Sequence, residues 1–308
     1  MKAALITTVL NEEDSIGKFL DSIVSQTLIP SEIIIVDAGS KDNTISIIKK
    51  YSKKLPLKLF IHKGNRSTGR NFAIKKTTSE YIAVTDVGCT LDKFWFERIT
   101  TPLANNCDVV AGFYKPITLN VFEKSLATYT CVPIDKVTQD FLPSSRSVSF
   151  SKKAWTKVGG YPEHLDTCED LVFASALKAA GLRFSVAKNA LVYWQQRKNI
   201  IEASWQFYSY ALGDGMAGYY RIQTPFLFGR YILLAIILLA FAHVKDVMIF
   251  WIICLLAVGY LSWSIKKNYR YVRHPYAFVY LPILQVTSDI FVIAGTTNGT
   301  LKRILKAI

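Results

Sequence analysis

The chain has 308 residues, of which 51% are hydrophobic and only 19% are charged. That length fits a catalytic domain with an additional module, and the apolar share is high for an ordinary soluble protein. The formal net charge of +14 indicates a polyanionic partner. The basic residues flank apolar segments instead of forming one aromatic-rich face, so a membrane surface is favoured over nucleic acid.

Up to residue 111, strand and helix patterns alternate along the chain. The predicted strands are Ala3–Val9, Glu32–Val36, Leu57–Ile61, Tyr81–Thr85 and Asp108–Ala111. The predicted helices begin at Asn11, with Asp14 as its capping-box partner, and after Asp42, and two more cover Asn71–Lys76 and Phe94–Leu103. This alternation predicts an α/β fold, a Rossmann-like and mostly parallel sheet with helices on both faces.

Polar residues stand at the ends of three predicted strands. Thr7 and Thr8 mark the end of the first strand, Asp37 that of the second and Asp86 that of the fourth. A parallel sheet binds ligands in the crevice at the carboxyl ends of its strands. We therefore expect these side chains to converge at one ligand site.

The next segment is irregular from Phe113 to Leu142 and then regains a pattern. We predict a strand at Ser147–Phe150 and a helix at Ser151–Val158, followed by a Gly159-Gly160-Tyr161-Pro162 turn. A second helix at Glu169–Ala180 and two short strands at Arg183–Val186 and Leu191–Trp194 come after it. With no cleavable secretion signal at its start, this first region, residues 1–200, is predicted to be a cytosolic catalytic domain.

The last third of the chain is predominantly apolar. Residues 226–265 form two stretches of nearly membrane-spanning length joined by His243–Asp246, which predicts a transmembrane helical hairpin. Basic residues flank both ends, so both ends are predicted to face the cytosol. The aromatic segment 201–225 is predicted to be interfacial. Residues 266–308 are predicted to form a basic loop and a re-entrant or interfacial helix with a basic tail, a third transmembrane helix being the alternative.

Several motifs occur in a fixed order within residues 1–200. Residues 7–13 read TTVLNEE and residues 35–44 read IVDAGSKDNT; GRNFA at 69–73 precedes VTD at 84–86, and GGYPE at 159–163 precedes CED at 168–170. In this order and spacing they resemble family 2 glycosyltransferases. The resemblance implies a GT-A fold and a UDP- or GDP-sugar donor, and the apolar last third is similar to the anchors of membrane-bound members.

The resemblance also assigns donor-binding residues. Asp37 would accept hydrogen bonds from the base or ribose of the donor, and Thr7, Thr8 and Glu12 would line the same pocket. Arg70 would lie at a helix start near the diphosphate, since a guanidinium group offers paired donors to phosphate oxygens.

Asp86 occupies the first position of the family's DxD motif, which normally holds a divalent ion on the diphosphate. Here the motif reads Asp86-Val87-Gly88, so the second acid is absent. The resemblance implies Mn²⁺ or Mg²⁺ at Asp86, and three alternatives stay open. Asp86 binds the ion with water and phosphate alone, Asp92 assists, or metal dependence is weak and Arg70 and Arg197 carry more of the charge.

For catalysis, the resemblance points to the Glu169-Asp170 pair at a helix start. Asp170 would take the proton of the acceptor hydroxyl, with Asp166 as a less favoured base. Trp194 and Arg197 are predicted to contact the acceptor and the diphosphate. Their segment is similar to the QxxRW motif of processive members without matching it, which favours transfer of a single sugar.

The sequence therefore predicts an inverting glycosyltransferase, a multi-pass cell-membrane protein that acts on a lipid-linked or membrane-proximal glycan acceptor. A catalytically inactive nucleotide-sugar-binding scaffold stays open because the second DxD acid is missing. A nucleotidyltransferase lacks support, since no glycine-rich phosphate loop follows the first strand.

Overall fold

The β-branched segments of the first two thirds of the chain form one eight-stranded sheet in the computed structural model, which describes residues 2–307. The strands are β1 Ala3–Val9, β2 Glu32–Asp37, β3 Leu57–Ile61, β4 Tyr81–Val84, β5 Cys89–Leu91, β6 Val109–Ile117, β7 Val148–Ser151 and β8 Phe184–Gln195. Their order across the sheet is β3-β2-β1-β4-β7-β6-β8-β5. The strands β3, β2, β1 and β4 run parallel to one another, and β6 runs parallel to β8. By contrast, β7 runs antiparallel to β4 and β6, and β5 runs antiparallel to β8.

Eleven α-helices complete the described part of the chain. They are α1 Glu13–Val24, α2 Thr44–Tyr51, α3 Arg66–Lys76, α4 Trp95–Ala104, α5 Val121–Thr130, α6 Lys152–Lys157, α7 Glu169–Ala179, α8 Ile200–Ala217, α9 Gln223–Val244, α10 Val247–Val272 and α11 Ala277–Ala307. Two units result. The sheet unit comprises residues 1–117 and 131–195, and the helical unit comprises residues 118–130 and 196–308.

The sheet unit buries both faces of its sheet. Neighbouring residues of β1 point to opposite sides: Leu5 joins a cluster with Phe19 of α1, and Ile6 joins one with Ile74 of α3. This alternation is typical of a sheet covered by helices on both faces. The candidate site lies at the carboxyl ends of the parallel strands.

Some predicted elements match the structure and others need correction. The bounds of β1 and β3 are as predicted, so Thr7 and Thr8 lie inside β1. The prediction that Asn11 caps the first helix is wrong. The helix begins at Glu13, and Asn11 adopts a left-handed φ of 53° while its side-chain oxygen accepts a hydrogen bond from the Lys41 main chain.

The segment from Phe113 to Leu142 is more regular than expected. It contains the end of β6 and the whole of α5, and the two short strands predicted after residue 182 are one strand, β8. A register shift between Ala111 and Phe113, where β6 pairs with β8, interrupts the ladder. The two predicted runs pair with β6 on either side of this irregularity, Val186 with Ala111 and Leu191 with Phe113.

The helical unit contains three helices that are long and apolar enough to cross a membrane, α9, α10 and α11. The first two are longer than the predicted spans, and only Lys245 and Asp246 separate them. Asp246 caps α10 by accepting a hydrogen bond from the Met248 N–H at 2.6 Å. α11 is one continuous helix despite Pro282.

Candidate active site

Asp37 is the last residue of β2 and is fully buried. Its Oδ1 accepts hydrogen bonds from the main-chain N–H groups of Gly39 and Ser40, both at 2.7 Å. Its Oδ2 is also buried and accepts no hydrogen bond within residues 2–307. A buried carboxylate oxygen without a partner is costly, and a ligand N–H or hydroxyl can satisfy it.

Thr7, Thr8 and Glu12 lie around the same strand end. Thr7 is fully buried, and its hydroxyl oxygen is another atom without a partner in the described part of the chain. Thr8 packs under α3 so closely that a Cβ on Gly69 would stand 2.6 Å from its methyl group. Glu12 precedes α1, and its main-chain N–H donates to Thr44 Oγ1 at 2.8 Å.

Arg70 forms ion pairs with two acidic residues of the site. Its side chain is 2% exposed, and its guanidinium donates to Glu169 Oε1 at 2.7 Å and to Asp86 Oδ1 at 2.9 Å. It also lies 5.3 Å from the centre of the Tyr161 ring. Arg70 is the fifth residue of α3, so it points into the protein from the second turn instead of standing open at the helix start. The ion pairs hold two distant chain segments together.

Asp86 follows β4 and keeps 35% of its side chain exposed. Burial alone would raise the pKa of this carboxyl, but the positive charges of Arg70, Arg146 and Arg66 outweigh burial and hold the pKa below its usual range. Asp86 is therefore ionised at neutral pH and reachable by a ligand. Sequence reasoning did not identify Arg146, since it lies in a loop without helix or strand periodicity.

The surroundings of Asp86 bear on the predicted metal ion. Three guanidinium groups act on this carboxylate, and Gly88 replaces the second acid. Among residues 2–307, no group of three or more His, Cys, Asp or Glu side chains is placed to hold a metal ion. Asp92 is engaged elsewhere, with Arg98 at 3.3 Å. A divalent ion at Asp86 would therefore depend on phosphate and water for most of its ligands.

Glu169 and Asp170 begin α7, directly after Cys168 with a left-handed φ of 67°. Glu169 is buried and paired with Arg70. Burial raises its pKa, the Arg70 charge opposes that rise, and the neighbouring Asp170 adds to it. Asp170 is half-buried, and its carboxylate accepts hydrogen bonds from the N–H groups of Leu171 at 2.8 Å and Ser145 at 3.4 Å. Of the two acids, Asp170 is the accessible one.

Asn71 fixes the segment that leads to α7. Its amide nitrogen donates to Tyr161 O at 2.9 Å and Glu163 Oε1 at 2.8 Å, and its oxygen accepts from Tyr161 N and Trp155 Nε1. A Cβ on Gly160, which has a φ of 85°, would stand 2.8 Å from both Asn71 Oδ1 and Trp155 Nε1. This contact explains the glycine in the GGYPE motif.

Asn65 caps α3 and reaches toward the same segment. Its side-chain nitrogen lies 3.2 Å from Asp166 Oδ1, the alternative base.

The two predicted acceptor residues fall in different units. Trp194 lies on β8 in the sheet unit, and the Arg146 guanidinium covers its ring at 4.0 Å from the ring centre. Arg197 belongs to the helical unit. The roles of both residues stay predictions, and a sugar that stacks on the covered face of Trp194 would have to displace Arg146.

Comparison with known proteins gives a family and a fold. The model of glycosyl transferase family 2 matches residues 4–165. The poly(ribitol-phosphate) beta-glucosyltransferase of Bacillus spizizenii is 27% identical over 211 residues, which make up 65% of this chain and 33% of that protein. The chain thus spans about a third of this curated relative.

Two solved structures share the fold. S. aureus TarS 1–349 in complex with UDP-GlcNAc is 22% identical, with a TM-score of 0.54, over 69% of this chain and 66% of that chain. Mannosyltransferase PcManGT from Pyrobaculum calidifontis, in complex with GDP-Man and Mn²⁺, is 17% identical, with a TM-score of 0.69, over 100% of this chain and 88% of that chain. Both likenesses agree with a GT-A fold.

Proposed function

Since the chain belongs to glycosyl transferase family 2, we propose that it moves a sugar from a nucleotide-sugar donor to an acceptor hydroxyl, with inversion at the anomeric carbon. One observation carries this proposal: an accessible carboxylate, Asp170, adjoins the Arg70 ion pairs that reach Asp86. The structural neighbours named above hold UDP-GlcNAc and GDP-Man, so the donor is a UDP- or GDP-sugar.

The donor's nucleoside binds at the end of β2. The buried Oδ2 of Asp37 and the hydroxyl of Thr7 lack hydrogen-bond partners in the described residues, and both can pair with polar groups of a base or ribose. Thr8 and Glu12 border this place from β1 and the start of α1. Asp86 follows β4, which pairs with β1 on the side away from β2, and faces the ribose or the diphosphate.

Asp170 acts as the general base. It takes the proton of the acceptor hydroxyl while that oxygen forms a bond to the anomeric carbon. The bond from the anomeric carbon to the diphosphate breaks, and its electron pair leaves with the nucleoside diphosphate. A single displacement of this kind inverts the anomeric centre, and general base catalysis contributes about 100- to 10,000-fold. Glu169 positions this base through its ion pair with Arg70.

A divalent ion would supply charge neutralisation at the diphosphate when bound. Asp86 is the residue that would hold it, as predicted from the family. The positive charges around Asp86 and the glycine at position 88 fit a loosely held ion better than a tight one, so no part of the proposed proton transfer depends on the metal.

The helical unit anchors the protein as a multi-pass membrane protein. None of the residues 232–259, the outer part of the α9–α10 hairpin, is buried, which suits direct contact with lipid tails. Basic residues stand at the base of the hairpin, among them Arg221, Lys266 and Lys267. By the positive-inside rule, this base and the sheet unit face the cytosol.

We further propose that α11 lies along the membrane surface, across the base of the hairpin. Phe278 near its start packs on Tyr269 near the end of α10, with ring centres 5.1 Å apart. Thr300 near its end bonds at 2.9 Å to Tyr220, just before α9. Both contacts are at the same end of the hairpin, so α11 crosses from one helix to the other. A third span packed beside the hairpin would bury part of residues 232–259.

The outer face of α11 suits a lipid surface. Apolar side chains at helical spacing stay exposed along it, at Val279, Ile283, Val286, Ile290, Leu301 and Leu305. Basic residues, Lys302 and Arg303, stand near its end. Exposed apolar residues with flanking positive charge are typical of interfacial helices. Two spans and one surface helix are therefore proposed.

The acceptor follows from this placement. A transferase held at a membrane by a hairpin meets substrates that are confined to the same surface. We propose a lipid-linked or membrane-proximal glycan as the acceptor.

A non-catalytic scaffold that binds nucleotide-sugars is the second candidate, and only the glycine at position 88 favours it.

The test uses the protein purified in detergent with a panel of UDP- and GDP-sugars, with a membrane lipid extract added or omitted. We expect release of a nucleoside diphosphate from one donor, dependent on the extract. A folded protein that binds a donor and releases nothing in the presence of the extract would instead establish the scaffold.

A further inference from the structure

Tyr161 of the GGYPE motif is fully buried beside the acids of the candidate site. The Arg70 guanidinium lies 5.3 Å from the centre of its ring. The ring also stacks on Phe173 of α7, with ring centres 4.0 Å apart. Phe173 stands about one turn after Asp170 on that helix. The Tyr161 ring therefore connects the Arg70 ion pairs to the helix that carries the proposed base.

The main chain of Tyr161 is held as firmly as its ring. Its carbonyl oxygen accepts from the Asn71 side-chain nitrogen and its N–H donates to the Asn71 side-chain oxygen, both at 2.9 Å. Asn71 belongs to α3, the helix that also carries Arg70. With the main chain bonded to α3 and the ring packed on α7, the position of the Tyr161 hydroxyl is fixed.

This hydroxyl contacts the loop that reaches the base. The buried Ser145 hydroxyl donates to it at 3.1 Å, and the Ser145 N–H donates to Asp170 Oδ2 at 3.4 Å. Two residues further on, Ser147 Oγ accepts from Trp95 Nε1 at 2.8 Å. The loop is thus anchored on both sides, and its Tyr161 contact lies next to the N–H that meets the carboxylate.

The two oxygens of Asp170 have different partners. Oδ1 accepts from the N–H of the next residue, Leu171, at 2.8 Å. Oδ2 accepts from Ser145, 25 residues away along the chain. The first bond alone leaves the carboxylate free to turn about it, whereas the two together define its plane. The orientation of this carboxylate therefore depends on where Ser145 lies.

Tyr161 itself is not suited to act as a base. Burial raises its pKa above the ordinary value for tyrosine, and the Arg70 charge only partly opposes that rise. The hydroxyl therefore keeps its proton at neutral pH.

We propose that Tyr161 and Ser145 are positioning residues that orient the Asp170 carboxylate toward the acceptor hydroxyl. The inference rests on the proposed transferase function, with Asp170 as the base. A base must lie within hydrogen-bond reach of the proton it takes, and a group already held in the productive orientation loses less freedom as the reaction proceeds. The Tyr161 hydroxyl fixes Ser145, and the Ser145 N–H fixes Oδ2.

The test is steady-state transfer with the active donor and acceptor in Tyr161→Phe, Ser145→Ala and the double variant. Each single variant should lower kcat about 10-fold, the rate equivalent of one hydrogen bond. KM for the donor should stay at the wild-type value, because the Tyr161→Phe ring still packs on Arg70 and the ion pairs are untouched. The double variant should be no slower than either single variant, since all three lack the same bond.

The matched control is Tyr51→Phe, which removes a hydroxyl bonded to Asp21 Oδ1 at 2.7 Å, between α2 and α1. It should change neither kcat nor KM. Thermal unfolding checks that every variant is folded, and Ser145→Ala tests the same bond with Tyr161 left intact.

Other results overturn the inference. Wild-type kcat in folded Tyr161→Phe and Ser145→Ala would limit the bond to a structural role. A raised KM with unchanged kcat would assign Tyr161 to donor binding, and multiplied losses in the double variant would show that the residues act independently. Absence of turnover by wild type from every donor would refute the transferase function and the inference with it. The two failures are distinguishable, because only the second affects the wild type.

Discussion

At the residue scale, the two neighbouring acids at the start of α7 have different surroundings. Glu169 is buried and paired with Arg70 at 2.7 Å, and removing one partner of a buried pair leaves an uncompensated charge. Asp170 is half-buried, and the hydrogen bonds described for its carboxylate come from main-chain N–H groups. A base must reach its substrate's proton, so the geometry favours Asp170 for chemistry and Glu169 for positioning.

Asp37 allows a direct test of donor binding. In Asp37→Asn the side-chain oxygen still accepts from Gly39 and Ser40, but an NH₂ group replaces the buried oxygen that has no partner. We expect donor affinity to fall roughly 5- to 150-fold, because an unsatisfied buried polar group costs about 1–3 kcal/mol. Isothermal titration with the active donor measures the change.

The matched control for this test is Asp42→Asn. Asp42 also accepts main-chain hydrogen bonds, from Thr44 at 3.0 Å and Glu13 at 3.1 Å, without a buried oxygen left over. Its donor affinity should stay at the wild-type value. Equal affinity in Asp37→Asn and wild type would remove Asp37 from the donor site.

Sequence patterns predicted the positions of the acidic residues of the site better than those of its arginines. Asp37 and Asp86 follow apolar strands, so topology alone predicts that they lie at one edge of the sheet. The inward orientation of Arg70 depends on Glu169, 99 residues away along the chain. Arg146 depends on the rings of Trp194 and Tyr114. Such long-range contacts leave no local pattern, and both side chains could be placed only with the fold known.

At the element scale, α8 and α11 approach each other through glycines. A Cβ on Gly299 would collide with the Leu212 carbonyl oxygen, and one on Gly215 would stand 2.6 Å from the Thr296 carbonyl oxygen. Small residues let helix backbones come this close, as is common between helices in membranes. One face of α11 therefore packs against α8.

The substitution Gly299→Ala should therefore destabilise the protein. Overpacking costs about 1–3 kcal/mol in a closely packed interface, so we expect a lower midpoint of thermal unfolding in detergent. Gly259→Ala in α10 is the control, since nothing lies within 4 Å of its added Cβ. There the better helix propensity of alanine should leave stability unchanged or raise it. Equal midpoints for the two variants would contradict the close packing.

The elements themselves were predictable where one face is apolar throughout. β1, β3 and the hairpin helices follow from their runs of hydrophobic residues. α5 was missed because two of its four buried residues, Glu123 and Ser125, are polar and interrupt the apolar periodicity. β5 is three residues long, Cys89–Leu91, too short for alternation to be visible. The antiparallel direction of β7 is set by its partners β4 and β6, which no local sequence specifies.

At the scale of the whole molecule, the number of membrane crossings decides where the end of α11 lies. Its Asp289 accepts hydrogen bonds from Arg230 at 2.5 Å and Tyr231 at 3.0 Å, and from Tyr260. These bonds tie α11 to both helices of the hairpin. With α11 along the surface, both of its ends face the cytosol, whereas a third span would put its last turn on the opposite side.

Single added cysteines distinguish these topologies. We expect Lys302→Cys, near the end of α11, to react with a membrane-impermeant thiol reagent only from the cytosolic side. Lys245→Cys, in the turn between α9 and α10, should react only from the other side. Labelling is scored as gain over the parent protein, which has five cysteines of its own. Reaction of both variants from the same side would establish a third span.

The central claim concerns Asp170, and one measurement tests it most directly: sugar transfer and donor affinity in Asp170→Asn and Asp166→Asn, with the active donor and acceptor. In Asp170→Asn one oxygen remains to accept from the Leu171 N–H, and in Asp166→Asn one remains to accept from the Asn65 side chain. Both variants should therefore bind donor as wild type does. Asp170→Asn should lose transfer by about 100- to 10,000-fold, and Asp166→Asn should keep it. Full transfer in Asp170→Asn, or loss confined to Asp166→Asn, would contradict the assignment of the base.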